Sequence, residues 1–391
     1  MRPTLVLVAL AFIVSAPACA SSKASPASGP GASGNPAARA ADRFLSGYVT
    51  GDGRVIRHDQ GGDIVSEGQA YGMLVAELAG RPALARTIWS WTDRHLGRPD
   101  GLFAWQATGA GQIEDPQSAT DADTLIAYAL LRSRGAGAAG MHRAGRRIAR
   151  AVLAHEAVSL PDGTRLPVAG PWATAMAAPA TNPSYLMPGV FRALARRTGD
   201  RRWAQAAAAS VRLVRGLTDD GRQLPPDWAV VTGGRLAAAP QPGGGVGVQY
   251  GLDAARVPSW FAAGCDADAR RLAAAWWPKL RTASAGSPVQ ILAAAAAATA
   301  AGDRAAAGSQ RTRAEAVAAN TPTYYGDAWA ALGPALLDGR LVPCGRSEGS
   351  TGHLGVRSPG CPSATCSASS SRRSRCSSRR GRSPDPARWG G

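Results

Sequence analysis

Apolar positions recur at helical spacing along most of the chain. In Ser66–Gly80, SEGQAYGMLVAELAG, the residues Tyr71, Leu74, Val75 and Leu78 fall on one helix face. Ser66 and Gln69 stand at capping-box spacing, and Gly80 followed by Arg81-Pro82 stops the helix. The stretch ATDADTLIAYALL at 119–131 repeats the arrangement, with Thr120 as cap, Asp121 in the first turn and Asp123 at the box position. In NPSYLMP, Asn182 is a cap and Pro183 suits the first helical position, predicting a helix to about Arg197. YGLDAARVP places Asp253 at a helix start. Further helical patterns cover Arg86–His95, Ala138–Ala154, Trp203–Leu217, Arg270–Trp277, Val289–Ala301, Arg311–Ala319 and Tyr324–Leu337. The one strand signal is GYVTGDGRVI near the N-terminus, where Asp52-Gly53 between apolar runs predicts a small hairpin. The pattern therefore predicts an all-α domain of roughly a dozen helices, either a solenoid or a closed ring. No short repeat period is visible, which counts against a tetratricopeptide-type array.

The ends of the chain read differently. Residues 1–20 carry Arg2, a short apolar run from Leu5 to Val14 and Ala16-Pro17-Ala18, the pattern of a secretory signal and too short to span a bilayer. Cys19 follows directly and is a candidate lipid attachment point, although the usual leucine three positions before it is missing. Residues 21–41 are mostly Ser, Gly, Pro and Ala and are expected to form a linker. Residues 42–343 form the expected folded domain, and 344–391 an Arg/Ser-rich tail expected to be disordered. A shifted reading frame near the end of the gene would produce such a tail.

The net charge of +17 changes little, because nine of the arginines lie beyond Gly345 and the rest form no basic face. Nucleic-acid binding is therefore not expected, and a cationic polymer would be mildly repelled. Of six cysteines only Cys265 lies well inside the domain, so no disulfide framework is expected, and no zinc spacing appears. The five histidines form no metal or nucleophile grouping.

What remains is a set of acids at helix starts: Glu67, Asp121 and Asp253. The ordered blocks SEGQAYGM, ATDADTLIAYALL, NPSYLMP and YGLDAARVP resemble the motifs of glycoside hydrolase family 8, from about Phe44 to about Leu337. The resemblance implies an (α/α)6 barrel of six inner and six outer helices. It implies a metal-independent, cofactor-free, inverting endo-acting glycosidase whose partner is a β-1,4-linked polysaccharide. Glu67 would be the general acid and Asp253 the general base; Asp121 would be a nucleophile or a group holding the distorted sugar, the latter fitting inversion. Glu67 and Asp253 would then stand roughly 6.5–9.5 Å apart to leave room for water. Arg256, at helical spacing from Asp253, would pair with it or contact sugar. Trp105 and Tyr185, in or near motif loops, are candidates for a sugar platform, since sugar C–H faces lie well on aromatic rings. Trp89, Trp203, Trp276 and Trp277 sit in apolar helices and are expected in the core.

A helix N-terminus favours an ionised carboxylate, whereas a general acid must keep its proton. A second carboxylate beside Glu67 would offset the dipole, and Asp121 is the candidate, so the two are expected to be neighbours. The expected enzyme is an endo-β-1,4-glucanase of cellulase type, secreted, monomeric and without a membrane span. Alternatives are a chitosanase, xylanase or lichenase of the same family, a polysaccharide-binding protein without catalysis, or a helical scaffold. A scaffold would scatter the three acids over unrelated surfaces.

Overall fold

The computed structural model describes residues 36–344; the expected signal, Cys19 and the Arg/Ser-rich tail beyond Cys344 lie outside the described residues. In chain order the helices are α1 (Pro36–Tyr48), α2 (Ser66–Leu78), α3 (Pro82–His95), α4 (Thr120–Arg132), α5 (Ala138–His155), α6 (Pro171–Thr174), α7 (Pro188–Thr198), α8 (Arg201–Leu217), α9 (Arg256–Ala262), α10 (Ala267–Ala275), α11 (Trp277–Leu280), α12 (Pro288–Ala301), α13 (Arg304–Asn320) and α14 (Tyr324–Leu337). Between them lie short strands: β1 (Ile64–Val65), β2 (Gln106–Ala107), β3 (Ile113–Asp115), β4 (Ala157–Ser159), β5 (Arg165–Pro167), β6 (Ala180–Thr181), β7 (Ala229–Thr232) and β8 (Arg235–Ala238).

Burial sorts the long helices into two layers. Helix α4 buries every residue except Arg132, and α12 buries Ile291 through Ala298 without a break. Such helices have no polar face and must lie inside a shell of others. Helix α13, by contrast, buries only Ala307, Ala314 and Ala318. The inner helices pack in the cyclic order α2, α4, α7, α9, α12, α14 and back to α2, so the ring closes. Each is backed by an outer neighbour: α3 on α2, α5 on α4, α8 on α7, α10 on α9, α13 on α12 and α1 on α14. This is an (α/α)6 barrel. Alanines at helix contacts bring backbones close, while Trp203, Trp276 and Trp329, all fully buried, fill the wider gaps.

Several expectations change. Helix α1 begins at Pro36, inside the stretch read as linker; its Ala37, Ala40, Ala41, Phe44, Leu45 and Tyr48 are buried at helical spacing. The N-terminal hairpin survives only as an isolated bridge, Val49 with Val55, around Gly53 at φ 98°; a second bridge, Arg57 with Asp63, follows it. Asn182 does cap a turn, its side chain accepting from the Ser184 N–H, but that turn is a single 3-10 turn, Pro183–Tyr185; helix α7 starts afresh at Pro188. Two three-stranded sheets, β1–β2–β3 and β6–β7–β8, were not foreseen, and both sit next to the candidate acids.

A disulfide joins Cys265, just after α9, to Cys344, across 79 residues, correcting the expectation of none. The approach is built by packing of residues near the two cysteines: Leu341 and Val342 are buried, and the Leu341 carbonyl accepts from Tyr128 Oη and Arg132 Nη1, each at 2.6 Å. Closing a loop of that length removes about 4 kcal/mol of chain entropy from the unfolded state. Cys265→Ser should therefore lower the melting temperature by several degrees in calorimetry, and reductant should shift the parent but not the variant.

Candidate active site

The first carboxylate is fixed by a sheet. Strand β1 runs directly into α2, and the Ser66 N–H donates to the Trp105 carbonyl at 2.9 Å. Ser66 is thus the first helical residue rather than a cap, and Val65 before it is extended, with φ −117°. Gln69 does not complete a capping box. Fully buried, it accepts from the Val55 N–H and donates to the Gly53 carbonyl and Thr92 Oγ1. Between Ser66 and Ala76 of this helix only Glu67 escapes burial. Its Oε1 accepts from Tyr71 Oη at 2.7 Å, one turn on. Gly68 beside it has to lack a side chain, because a Cβ there would meet Tyr324 Oη at 2.7 Å.

The second carboxylate opens α4. Thr120 is again the first helical residue, its N–H bonded to the Ala169 carbonyl, and Ala119 makes no side-chain cap. Asp121 Oδ1 accepts from the Ala122 N–H at 2.9 Å. Asp123 faces away from a capping role: its Oδ1 accepts from the Phe103 N–H at 3.1 Å. It pairs with Glu156, whose Oε1 accepts from Ser118 Oγ at 2.7 Å. Asp123 Oδ2 and Glu156 Oε2 are both buried without a hydrogen-bond partner, an arrangement that favours a proton on one of the two acids. Burial is the largest cause pushing both carboxyls up, Glu156 to about 8.

The third, Asp253, lies in the turn just before α9 rather than in the helix. Asp227 organises this turn, its Oδ1 accepting from the N–H groups of Gly251 (3.0 Å) and Ala254 (2.8 Å). A side chain on Gly251 would strike Asp227 Oδ2. Strand β6 delivers Asn182, whose Nδ2 donates to Asp253 Oδ2 at 2.8 Å while its Oδ1 accepts from Ser184.

Arg256 draws the three acids together. Its Nη1 donates to Glu67 Oε1 and to Asp121 Oδ2 (3.1 Å), and its Nη2 to Asp253 Oδ1 (2.9 Å). Glu67 and Asp121 are therefore neighbours on one nitrogen, with Asp253 across the width of one guanidinium. The partly buried Tyr185 ring lies 5.7 Å from the guanidinium carbon, a cation–π distance. Side-chain exposure is graded: 5% at Asp121 and Arg256, 20% at Glu67 and 41% at Asp253, so the cluster opens outward on the Asp253 side. Trp105 is half-buried and its backbone ties the start of α2 to the approach of α4, its N–H donating to the Gln117 carbonyl at 2.7 Å. Trp203 and Trp276 are core residues, as their helices suggested, but Trp89 and Trp277 are only partly buried.

Sequence reasoning passed over Tyr71, Asn182 as a partner of Asp253, and Asp227. Tyr71 stands four residues from Glu67, a spacing that was visible; the Asn182–Asp253 contact joins distant blocks and was not.

Burial first, then the Glu67 charge, pushes the Asp121 carboxyl up from 3.8 to about 7, against the pull of Arg256. The folded state thus holds a proton that the unfolded chain releases near pH 4. Its stabilising effect is complete below that pH and is lost as pH rises through about 7. Glu156 acts in the same sense, ending near 8. Denaturant unfolding between pH 4 and 9 should show stability falling with pH. Asp121→Asn should abolish the part that ends near 7 and move the Glu156 part to lower pH, because the Asp121 charge helps to raise Glu156.

A family model described as glycosyl hydrolases family 8 matches residues 17–330. A probable endoglucanase of Novacetimonas hansenii is 33% identical over 234 residues, which is 56% of this chain and 64% of that one. An endoglucanase of Xanthomonas axonopodis pv. citri is 33% identical over 236 residues, 56% of this chain and 58% of that one. The chain thus covers less than two thirds of the length of either relative. Among solved structures, a β-1,3-1,4-glucanase from Paenibacillus sp. X4 superposes with a TM-score of 0.66 at 24% identity, covering 78% of this chain and 91% of that one. An endo-β-1,4-glucanase from Acetobacter xylinum gives 0.60 at 24% identity, covering 78% and 100%. At these identities the structural likeness concerns the fold.

Proposed function

The chain belongs to glycosyl hydrolase family 8, and from that premise we propose that it is an inverting endo-β-1,4-glucanase of cellulase type. The observation that carries the reading is the bridging of Glu67, Asp121 and Asp253 by Arg256, with one acid buried, one half-shielded and one open to solvent.

Glu67 is the general acid. Tyr71 and Arg256 both donate to its Oε1, which leaves Oε2 free of protein donors among the described residues and able to carry the proton to the leaving oxygen. Burial pushes the Tyr71 hydroxyl up, so it stays a donor throughout. Asp253 is the general base. Asn182 and Arg256 each fix one of its oxygens, and its exposure leaves lone pairs for a water on the far face of the sugar. Asp121 is too enclosed to attack and serves to hold the sugar ring beside the cleaved bond. Tyr185 and Trp105 offer the ring its aromatic surface. The two relatives named as endoglucanases support a glucan substrate. The signal-like N-terminus supports a secreted protein, with lipid attachment at Cys19 as a variant of that reading; no described helix is long and apolar enough to cross a membrane.

The test is a digest of carboxymethyl-cellulose, mixed-linkage β-glucan, xylan and chitosan, with product anomers followed by NMR. Cleavage of the first with α-configured new ends is expected, because inversion turns a β-linkage into an α-hemiacetal. Absence of cleavage there, with activity on another polymer, would replace the substrate; β-configured ends would replace the roles of Asp253 and Asp121.

A further inference from the structure

Trp89 was expected in the core. Instead it sits partly buried on the outer helix α3, edge-on to Phe103 with ring centroids 5.9 Å apart and planes at 79°. Together with Asp93 on the same helix, Arg98 and Phe103 on the segment that follows it, and Arg147 of α5, it lines a groove of about 310 Å³. None of the three bridged acids lines this groove.

Two polar side chains in it have no protein partner among the described residues. Asp93 and Arg147 are both exposed, and neither makes a side-chain hydrogen bond or ion pair among the described residues. Arg98, in contrast, is committed to Asp100 and the Pro116 carbonyl. The uncommitted groups carry opposite charges, so the groove is balanced and suits a neutral ligand rather than a polyanion. A carboxylate and a guanidinium can each engage a pair of neighbouring hydroxyls, one as acceptor and one as donor. An indole offers the flat apolar surface that C–H faces require. The volume lies at the low end of the usual range for small-ligand pockets, about 300–1,000 Å³. Aromatic platform, flanking polar groups, charge balance and size together fit one or two neutral pyranose units.

We infer that this groove is a second polysaccharide-binding site, taking neutral β-linked glucose units of the polymer at a distance from the cleaved bond. The inference rests on the proposed glucanase reading for the identity of the sugar. Phe103 joins the two regions: its ring lies against Trp89, its N–H is bonded to Asp123 beside the acid cluster, and Trp105 stands two residues further on. A polymer held here is held close to the segment that carries the proposed platform.

The test uses affinity electrophoresis of the full chain through gels containing soluble hydroxyethylcellulose, with Glu67→Gln in every sample to keep the polymer intact. Trp89→Ala and, separately, Arg147→Ala should each weaken retardation roughly three- to tenfold in apparent affinity. With Glu67 restored, both variants should hydrolyse a short soluble cello-oligosaccharide with kcat/KM unchanged. Arg147 is exposed, so a loss in that variant cannot be traced to misfolding. Retardation equal to the parent in both variants would overturn the second site. If the parent with Glu67 hydrolysed no glucan at all, the glucanase reading would fall, and the second site with it; hydrolysis by the parent with unaltered retardation of the variants would remove the second site alone.

Discussion

Glu67→Gln should lower kcat on a soluble β-glucan by about 10²- to 10⁴-fold, the range that a positioned proton donor contributes. Glutamine keeps the shape of the side chain and can still accept from Tyr71 and Arg256 through its carbonyl oxygen. The fold should therefore persist and KM should move little, since the lost interaction is made with the leaving oxygen only as the bond breaks. A substrate with a good leaving group needs less protonation, so an aryl cello-oligosaccharide should recover much of the rate. If the loss were equal for aryl and sugar leaving groups, Glu67 would not be the acid. If the rate did not fall, the site would lie elsewhere.

The second large effect is expected at Arg256. Arg256→Gln removes the only cation that contacts Glu67, Asp121 and Asp253 among the described residues. Asp121 and Arg256 are both 5% exposed at the side chain. Breaking a buried pair by deleting one partner costs about 3–5 kcal/mol, because the other charge is left uncompensated. Much less of that cost should come from Asp253, which is 41% exposed and screened by solvent. Activity should fall by several orders of magnitude, since all three carboxylates lose their spacing together and the Tyr185 ring loses the guanidinium beside it. Arg256→Lys should rescue little. One ammonium cannot reach Asp253 on one side and Glu67 with Asp121 on the other, as a planar fork does. Lowering the pH should restore part of the lost stability in Arg256→Gln by protonating Asp121, and unfolding curves at pH 5 and pH 8 would show it. Equal stability of parent and variant at both would mean that the bridge does not bear on the fold.

The helices were legible because apolar spacing persists over three or more turns, as in α14, whose limits match the expected Tyr324–Leu337. Ring closure was not in the periodicity and came from the family resemblance. Helix starts at the site were misread for a physical reason. Helices such as α8, α10, α12, α13 and α14 are capped by Asp200, Asp266, Ser287, Asp303 and Thr323 in the expected way. Helices α2 and α4 instead have leading N–H groups met by carbonyls of Trp105 and Ala169, so Ser66 and Thr120 are spared and their polar neighbours Glu67 and Asp121 are left for other work. Strands of two to four residues are too short for a two-residue alternation to register. The turn Gly233-Gly234, with φ 53° and 75°, between β7 and β8 is the one hairpin signal of these sheets that the sequence carries openly. Helix α1 was hidden because its alanines looked like low-complexity linker.

The link between Cys265 and Cys344 bears on how the molecule is made. Cys265 leaves the ribosome 79 residues ahead of its mate, and Cys361, Cys366 and Cys376 follow soon after. A chain emerging into an oxidising space therefore meets several competing thiols within a short interval, and correct pairing calls for exchange among them. Production in a glutathione-rich cytosol would deliver the ring without its clasp. Recombinant yield should accordingly depend more on thiol–disulfide isomerase capacity than on expression level.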